Sequence, residues 1–477
     1  MTYKEEHEAF VSNHHGTSLW EIFLLTALLP PLCNYTYFAI RPRLVFEWPK
    51  WSDHVIQFLS LAFPILLLFT YFADVSWLIG VPFLVLPVLH ITNVFTSTGL
   101  SSAHSATSGP LASAVTALRA FINIATAVAI LGVDFAVWPR RLAKVETFGT
   151  GLMDVGVGQY VFSMALVSRE ARQKPRESLL HGWKTFLALV VLGSGRLLTT
   201  KAAAYQEHTS EYGVHWNFFF TLAALKIFTL LISAVWQNKA PSLPTASSTS
   251  FWSPLITGGL LGITYQVLLE NAGWSEFIQH SWAGDGARGD WISANREGLL
   301  SSLGYFSLYS LSVQLGRCLW SGQRRMRCSL LFSLVPLVLL ETLSLAGIVQ
   351  PISRRMANLP FILWQVHLGT SVLLAFYVLY GYMLPTQIVK QAAVTNTAAG
   401  QLVNVESPSP PVLLSAISHN QLLFFLAANL GTGIVNMSMK TIYVSNLTAM
   451  CILSIYLAVL CILAIALYGK PPERKSQ

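Results

Sequence analysis

Apolar residues in this chain gather into runs of about twenty, and the runs follow one another with short polar breaks along almost its whole length. A helix rises about 1.5 Å per residue, so about twenty residues cross the roughly 30 Å hydrocarbon core of a bilayer. About thirteen such spans can be read, near 19–40, 54–73, 76–96, 112–135, 151–168, 179–199, 213–236, 252–270, 298–316, 328–348, 359–383, 416–438 and 445–468. The expected fold class is therefore an all-α polytopic membrane protein, a bundle of about thirteen transmembrane helices around an internal polar cavity. A single membrane-embedded domain is expected over 1–468. A proline- and serine-rich linker at about 386–411 interrupts it, and a basic tail at 469–477 follows it.

Composition agrees: 53% hydrophobic against 11% charged residues sets aside a soluble multidomain protein of 477 residues. The net charge of +8 invites a nucleic-acid reading, but the cations are dispersed among the spans. Anionic lipid and loop orientation account for them, and no nucleic-acid partner is expected. More of the interspan Lys and Arg lie on the side of the C-terminus, which the positive-inside rule places in the cytosol with the N-terminus opposite. Five cysteines without a CxxC pair support neither a disulfide framework nor a zinc site. The polar opening Met1–Ser18 does not read as a cleavable signal peptide.

Charged residues concentrate where such a chain can least easily place them. Leu131–Gly158, LGVDFAVWPRRLAKVETFGTGLMDVGVG, closes one span on Asp134, turns at Pro139, and passes Arg140, Arg141, Lys144, Glu146 and Thr147 before re-entering an apolar run with Asp154. Ionisable groups between spans are by default a functional-site hypothesis. This stretch is therefore expected to do chemistry or, through Arg140, Arg141, Glu146, Thr147 and Asp154, to hold a substrate head group; the plain alternative is a solvated connector with snorkelling Arg and Lys. Pro139 keeps Asp134 and Lys144 off a common helix face, so only a turn at the membrane surface can bring them together. A carboxylate in a partly dry site can act as a general base toward an alcohol. An ammonium nearby can hold it ionised or stabilise an acyl oxyanion. The plain structural alternative is an ion pair that closes two helices.

Other polar blocks fall on the same, non-cytosolic face. QEHTSEYGVHWN carries His208, Glu211, His215, Trp216 and Asn217. Its spacing is not the HExxH zinc signature, so a rim that hydrogen-bonds a sugar or an inositol is the preferred reading, beside a structural one. Arg296 with Glu297, and Arg354 with Arg355 near Asn358, are candidate clamps for a lipid phosphate, since a guanidinium fork matches phosphate oxygens. Interfacial anchoring explains them nearly as well. Arg196, among glycines and threonines within a span, is a candidate cavity residue. In FLAANLGTGIVNMSMKT, the small and polar residues, Asn429, Thr432, Asn436 and Ser438 among them, read as helix-packing contacts in preference to substrate contacts. GxSxG, Walker and dinucleotide motifs are absent, which disfavours a covalent serine enzyme, an ATPase and a redox enzyme.

Together VDFAVWPRRLAKVETFGTGLMDVGVG, HTSEYGVHWNFFFTL, NREGLLSSLGYFSLY, SRRMANLPFILW and ANLGTGIVNMSMKT resemble, in this order, the glucosaminyl-phosphatidylinositol inositol acyltransferases of GPI-anchor biosynthesis (the PIG-W type). The resemblance runs from about residue 4 to 468 and has a fungal look. It implies an endoplasmic-reticulum enzyme, in fungi a target of antifungal inhibitors, that moves a palmitoyl or similar chain from acyl-CoA to the inositol 2-hydroxyl of GlcN-PI. Acyl-CoA would be a co-substrate, with no other cofactor and no metal. Asp134 and Lys144 match the acid and lysine of the family's most polar block and are the catalytic candidates, with His215 a reserve base. A lipid transporter or flippase, or a non-catalytic lipid-binding subunit, is the rival reading. Oligomeric state is not legible.

Overall fold

The protein is described by a computed structural model over residues 3–12, 14–40, 50–75, 78, 109–202, 209–236, 248–280, 288–322, 325–384 and 409–469. Most of the anticipated linker, most of the anticipated span at 76–96 and the basic tail beyond 469 lie outside these residues. The described residues are mainly helical and contain no strand, only an isolated parallel bridge between His14 and Val145. Among them six helices are long and apolar enough to cross a membrane: Trp51–Phe69, Gly109–Gly132, Arg325–Leu345, Leu359–Met383, Gln421–Ser438 and Asn446–Tyr468. The all-α membrane class follows from these.

The chain divides into two compact units, residues 1–16 with 144–371, and residues 17–143 with 372–477. In the first, the Arg296–Trp320 helix is the central element, packed by Ser248–Asn271, Leu152–Leu166 and Phe218–Trp236. Its sequence explains the close packing. Ser301, Ser302, Gly304, Ser307, Ser310 and Ser312 are buried along it, and small residues let neighbouring backbones approach where apolar burial alone gives no driving force in lipid. A Cβ on Gly304 would lie 2.0 Å from the Ala357 carbonyl oxygen. Ser307 Oγ donates to the Gly258 carbonyl at 2.7 Å. Near the other end the buried Arg317 guanidinium donates to the carbonyls of Glu170 (3.1 Å), Phe251 (3.1 Å) and Trp236 (3.0 Å), gathering three chain segments on one cation.

In the second unit Gly109–Gly132 is central, against Val412–His419 and Gln421–Ser438. Arg119, an arginine inside a span, gives its Nε and Nη2 to Gln421 Oε1 at 3.1 and 2.7 Å, which relieves the cost of burying it. The Trp51–Phe69 span widens into a π-turn at Phe58–Ala62, just ahead of Pro64. The turn accommodates a residue that cannot donate to the regular ladder.

Candidate active site

The turn that carries Asp134 lies wholly in the second unit. The Gly109–Gly132 helix unravels through tight turns, with Asp134 N–H on the Leu131 carbonyl and Phe135 N–H on that of Gly132. The chain then folds Trp138 back over Gly132, where a Cβ would meet the indole at 2.7 Å. Arg140, just beyond Pro139, clasps this turn: Nε donates to the Trp138 carbonyl (3.0 Å), Nη1 to Val133 (2.8 Å) and Nη2 to Phe135 (2.8 Å). Burial lowers the Arg140 pKa to about 10, against the opposing pull of the Asp134 carboxylate. Arg141 pairs with Glu21 (2.8 Å) and Asp74 (2.6 Å); its hydrogen bonds to Glu21 lead the effects that raise its pKa. Asp134 itself is only 5% exposed, and Asn436 Nδ2 donates to its Oδ2 at 2.7 Å.

Lys144 belongs to the first unit and opens the loop to Gly151. Its Nζ meets Glu211 Oε1 at 2.7 Å. The same oxygen takes Arg354 Nη1 at 3.3 Å, while Arg354 Nε donates to Asp154 Oδ1 at 2.7 Å. Asp154 Oδ2 then accepts the N–H groups of Val145 (3.2 Å) and Gly151 (2.8 Å), the latter as a helix cap on Leu152–Leu166. Side-chain exposure falls along this line from 40% at Lys144 to 18% at Glu211, 5% at Arg354 and 1% at Asp154. Burial works against the Arg354 charge, but Glu211 and Asp154 outweigh it and leave its pKa raised. Burial and then the Glu211 charge keep the neighbouring Tyr212 phenol protonated. The remaining loop residues Glu146 and Thr147 are half-buried.

Two neighbouring segments hold this loop. Gly149 N–H donates to the Ile352 carbonyl at 2.8 Å, and a Cβ on Gly16 would strike the Thr150 carbonyl oxygen at 2.3 Å. Gly16 has φ +80°, a conformation glycine adopts without strain. Asn358 fixes the turn that presents Arg354, accepting from the N–H of Ser353 (3.0 Å) and Phe361 (3.2 Å) and donating to the Pro351 carbonyl (2.8 Å). Asn217 is likewise spent on backbone, at Gly193 and Phe219. Trp216 donates its indole N–H to Thr221 Oγ1 at 2.9 Å and sits over Gly298, where a Cβ would clash at 2.2 Å. The His215 ring is exposed, its backbone N–H held by Asn295 Oδ1 at 2.8 Å. Arg196 is exposed on the Leu179–Ala202 helix, and His208 lies outside the described residues.

A second ionic cluster surrounds the fully buried Glu297. Arg288 Nη2 (2.6 Å) and Arg355 Nη2 (2.9 Å) contact its Oε1, with Arg296 Nε at 3.8 Å. Arg296 is turned inward onto the carbonyls of Ile278 and Ser293, whereas the buried Arg355 Nε has no hydrogen-bond partner among the described residues. Sequence reasoning did not select Arg288 for this cluster, nor Asn436 as the partner of Asp134. A polar residue in the apolar Gln421–Ser438 run was the available signal for Asn436. No group of three or more His, Cys, Asp or Glu side chains able to hold a metal occurs among the described residues.

The family model described as GWT1 matches residues 3–467. Over 98% of this chain and 98% of its own length, the glucosaminyl-phosphatidylinositol-acyltransferase PIGW of Homo sapiens is 32% identical. The GPI-anchored wall transfer protein 1 of Emericella nidulans is 34% identical over 98% of this chain and 97% of its own. The Mus musculus PIGW protein is 29% identical over 97% of each.

Proposed function

The chain belongs to the GWT1 family, and on that premise we propose that it transfers a fatty acyl chain to the inositol of glucosaminyl-phosphatidylinositol in GPI-anchor biosynthesis. The observation that carries this is the match over nearly the whole of both chains to relatives named for that acyltransferase activity. The finer proposal is a palmitoyl-type chain from acyl-CoA, delivered to the inositol 2-hydroxyl. The enzyme is placed in the endoplasmic-reticulum membrane, with about thirteen spans around a polar cavity, a lumenal N-terminus and a cytosolic C-terminus. The distribution of basic loop residues supports that orientation.

In the proposed reaction the Asp134 carboxylate takes the proton of the inositol hydroxyl as its oxygen attacks the thioester carbonyl carbon. The nearly complete burial of Asp134 supports this role, because bulk water is kept from competing with the substrate hydroxyl for the carboxylate. Lys144 stabilises the tetrahedral oxyanion. Collapse breaks the carbon–sulfur bond, and the proton held by Asp134 goes to the departing thiolate. His215, exposed at the rim, is the reserve base. The Glu297 cluster is the proposed seat of the lipid phosphate, supported by three guanidiniums around one carboxylate and the unsatisfied Arg355 Nε. Arg140 and Arg141 would act by shaping the turn.

The test is the purified protein in detergent with glucosaminyl-phosphatidylinositol and labelled acyl-CoA. Labelled acylated lipid is expected from the parent and from neither Asp134→Asn nor Lys144→Ala. A blank from the parent removes the activity, and near-parental turnover in both variants removes the residue assignment.

A further inference from the structure

We propose that Glu211 is a positioning residue that holds the Lys144 ammonium in place for acyl transfer, and not a ligand of the sugar or inositol head group. This rests on the role proposed above for Lys144. The geometry is a closed ring. Lys144 Nζ meets Glu211, Glu211 meets Arg354, and Arg354 meets Asp154 Oδ1. From Asp154 Oδ2 the path returns through the N–H of Val145 to the residue next to Lys144. One buried carboxylate thus secures the lysine's backbone directly and its head group through two intermediates.

That arrangement solves a problem set by lysine itself. Its ammonium is a compact charge on a flexible four-carbon stem, and a half-exposed lysine samples many rotamers. An isolated ion pair at the surface would hold it weakly. Here the acidic partner is fixed from behind by Arg354, which is buried and anchored in turn. A group whose partner cannot move is preorganised, so the ammonium would be in place before charge develops on the oxyanion. A head-group ligand would need to offer its carboxylate oxygen to hydroxyls. Glu211 Oε1 is instead shared between two cations of the protein, at 2.7 and 3.3 Å.

The experiment compares Glu211→Gln, Glu211→Asp and Lys144→Ala in the purified acyltransferase assay, with a thermal melt of each protein. In Glu211→Gln the expected result is a fall in kcat of about 10–100-fold, the size seen when a supporting contact lets a reacting group drift. The KM for the inositol lipid stays within about twofold, and the melting temperature falls by no more than about 2–4 °C because Asp154 still holds Arg354. In Glu211→Asp, which keeps the charge, kcat recovers to within about tenfold of the parent. Three results overturn the proposal: a parental kcat in Glu211→Gln; a KM raised tenfold or more with kcat kept, as for a substrate ligand; or loss of activity in both Glu211 variants together with lowered melting temperature. Parental activity in Lys144→Ala would instead strike the role of the lysine, so the two failures are told apart.

Discussion

Asp154→Asn changes one atom, and the structure gives it no harmless orientation. The carboxylate uses Oδ1 for the Arg354 guanidinium and Oδ2 for the amides of Val145 and Gly151. An asparagine has one oxygen to offer. If that oxygen faces Arg354, the new NH2 points at two backbone donors; if it is flipped, the NH2 points at Arg354 Nε. Either way donor meets donor at a site where the two partners are 1% and 5% exposed. Removing one member of a buried ion pair costs about 3–5 kcal/mol. Because Glu211 remains 3.3 Å from Arg354, the lower end, about 3 kcal/mol, applies. At about 2–4 °C per kcal/mol the apparent melting temperature should fall by roughly 6–12 °C. The assay is tryptophan fluorescence against temperature in detergent. Asp74→Asn serves as the control: its pairing with Arg141 is shorter-range than many, 2.6 Å, yet Asp74 is 76% exposed and its loss should cost at most about 1 kcal/mol. A drop for Asp154→Asn no larger than for Asp74→Asn would refute the reasoning that burial, and not distance, sets the value of these pairs.

Two further expectations come from backbone contacts. Arg140→Gln removes a guanidinium from three carbonyls around Asp134; acyl transfer should fall at least about tenfold as the carboxylate loses its bearing, a loss of about 1.4 kcal/mol or more in transition-state stabilisation, read as kcat/KM. Gly304→Ala places a methyl 2.0 Å from the Ala357 carbonyl oxygen; overpacking of this kind costs about 1–3 kcal/mol, which a melt in the same detergent would register as a lower midpoint.

What the sequence made legible was whatever repeats over short distances. The apolar runs marked helices because a bilayer admits little else, and Gly109–Gly132 and Asn446–Tyr468 lie close to the ranges read from hydropathy. The polar blocks were also visible, since charge between spans is conspicuous. Their pairing was not. Asp154 and Arg354 are 200 residues apart, and Asp134 and Asn436 are 302 apart. No local pattern encodes such a meeting. Glu211, Asp154 and Arg354 therefore looked like separate hands reaching for a ligand, whereas in the fold they hold one another. Asn217 and Asn358 carry the same lesson: an asparagine beside charged neighbours draws notice as a binding group, and here both tie down loops. The π-turn ahead of Pro64 was equally hidden, because a proline within a span announces a local repair without saying which one.

Arg317 has a bearing on how this protein is made. The three carbonyl groups it gathers belong to residues 170, 236 and 251, all of them synthesised before it. Until the ribosome has delivered residue 317 those three carbonyls lack this shared donor, so the tie that joins them is completed only after all three segments have been made.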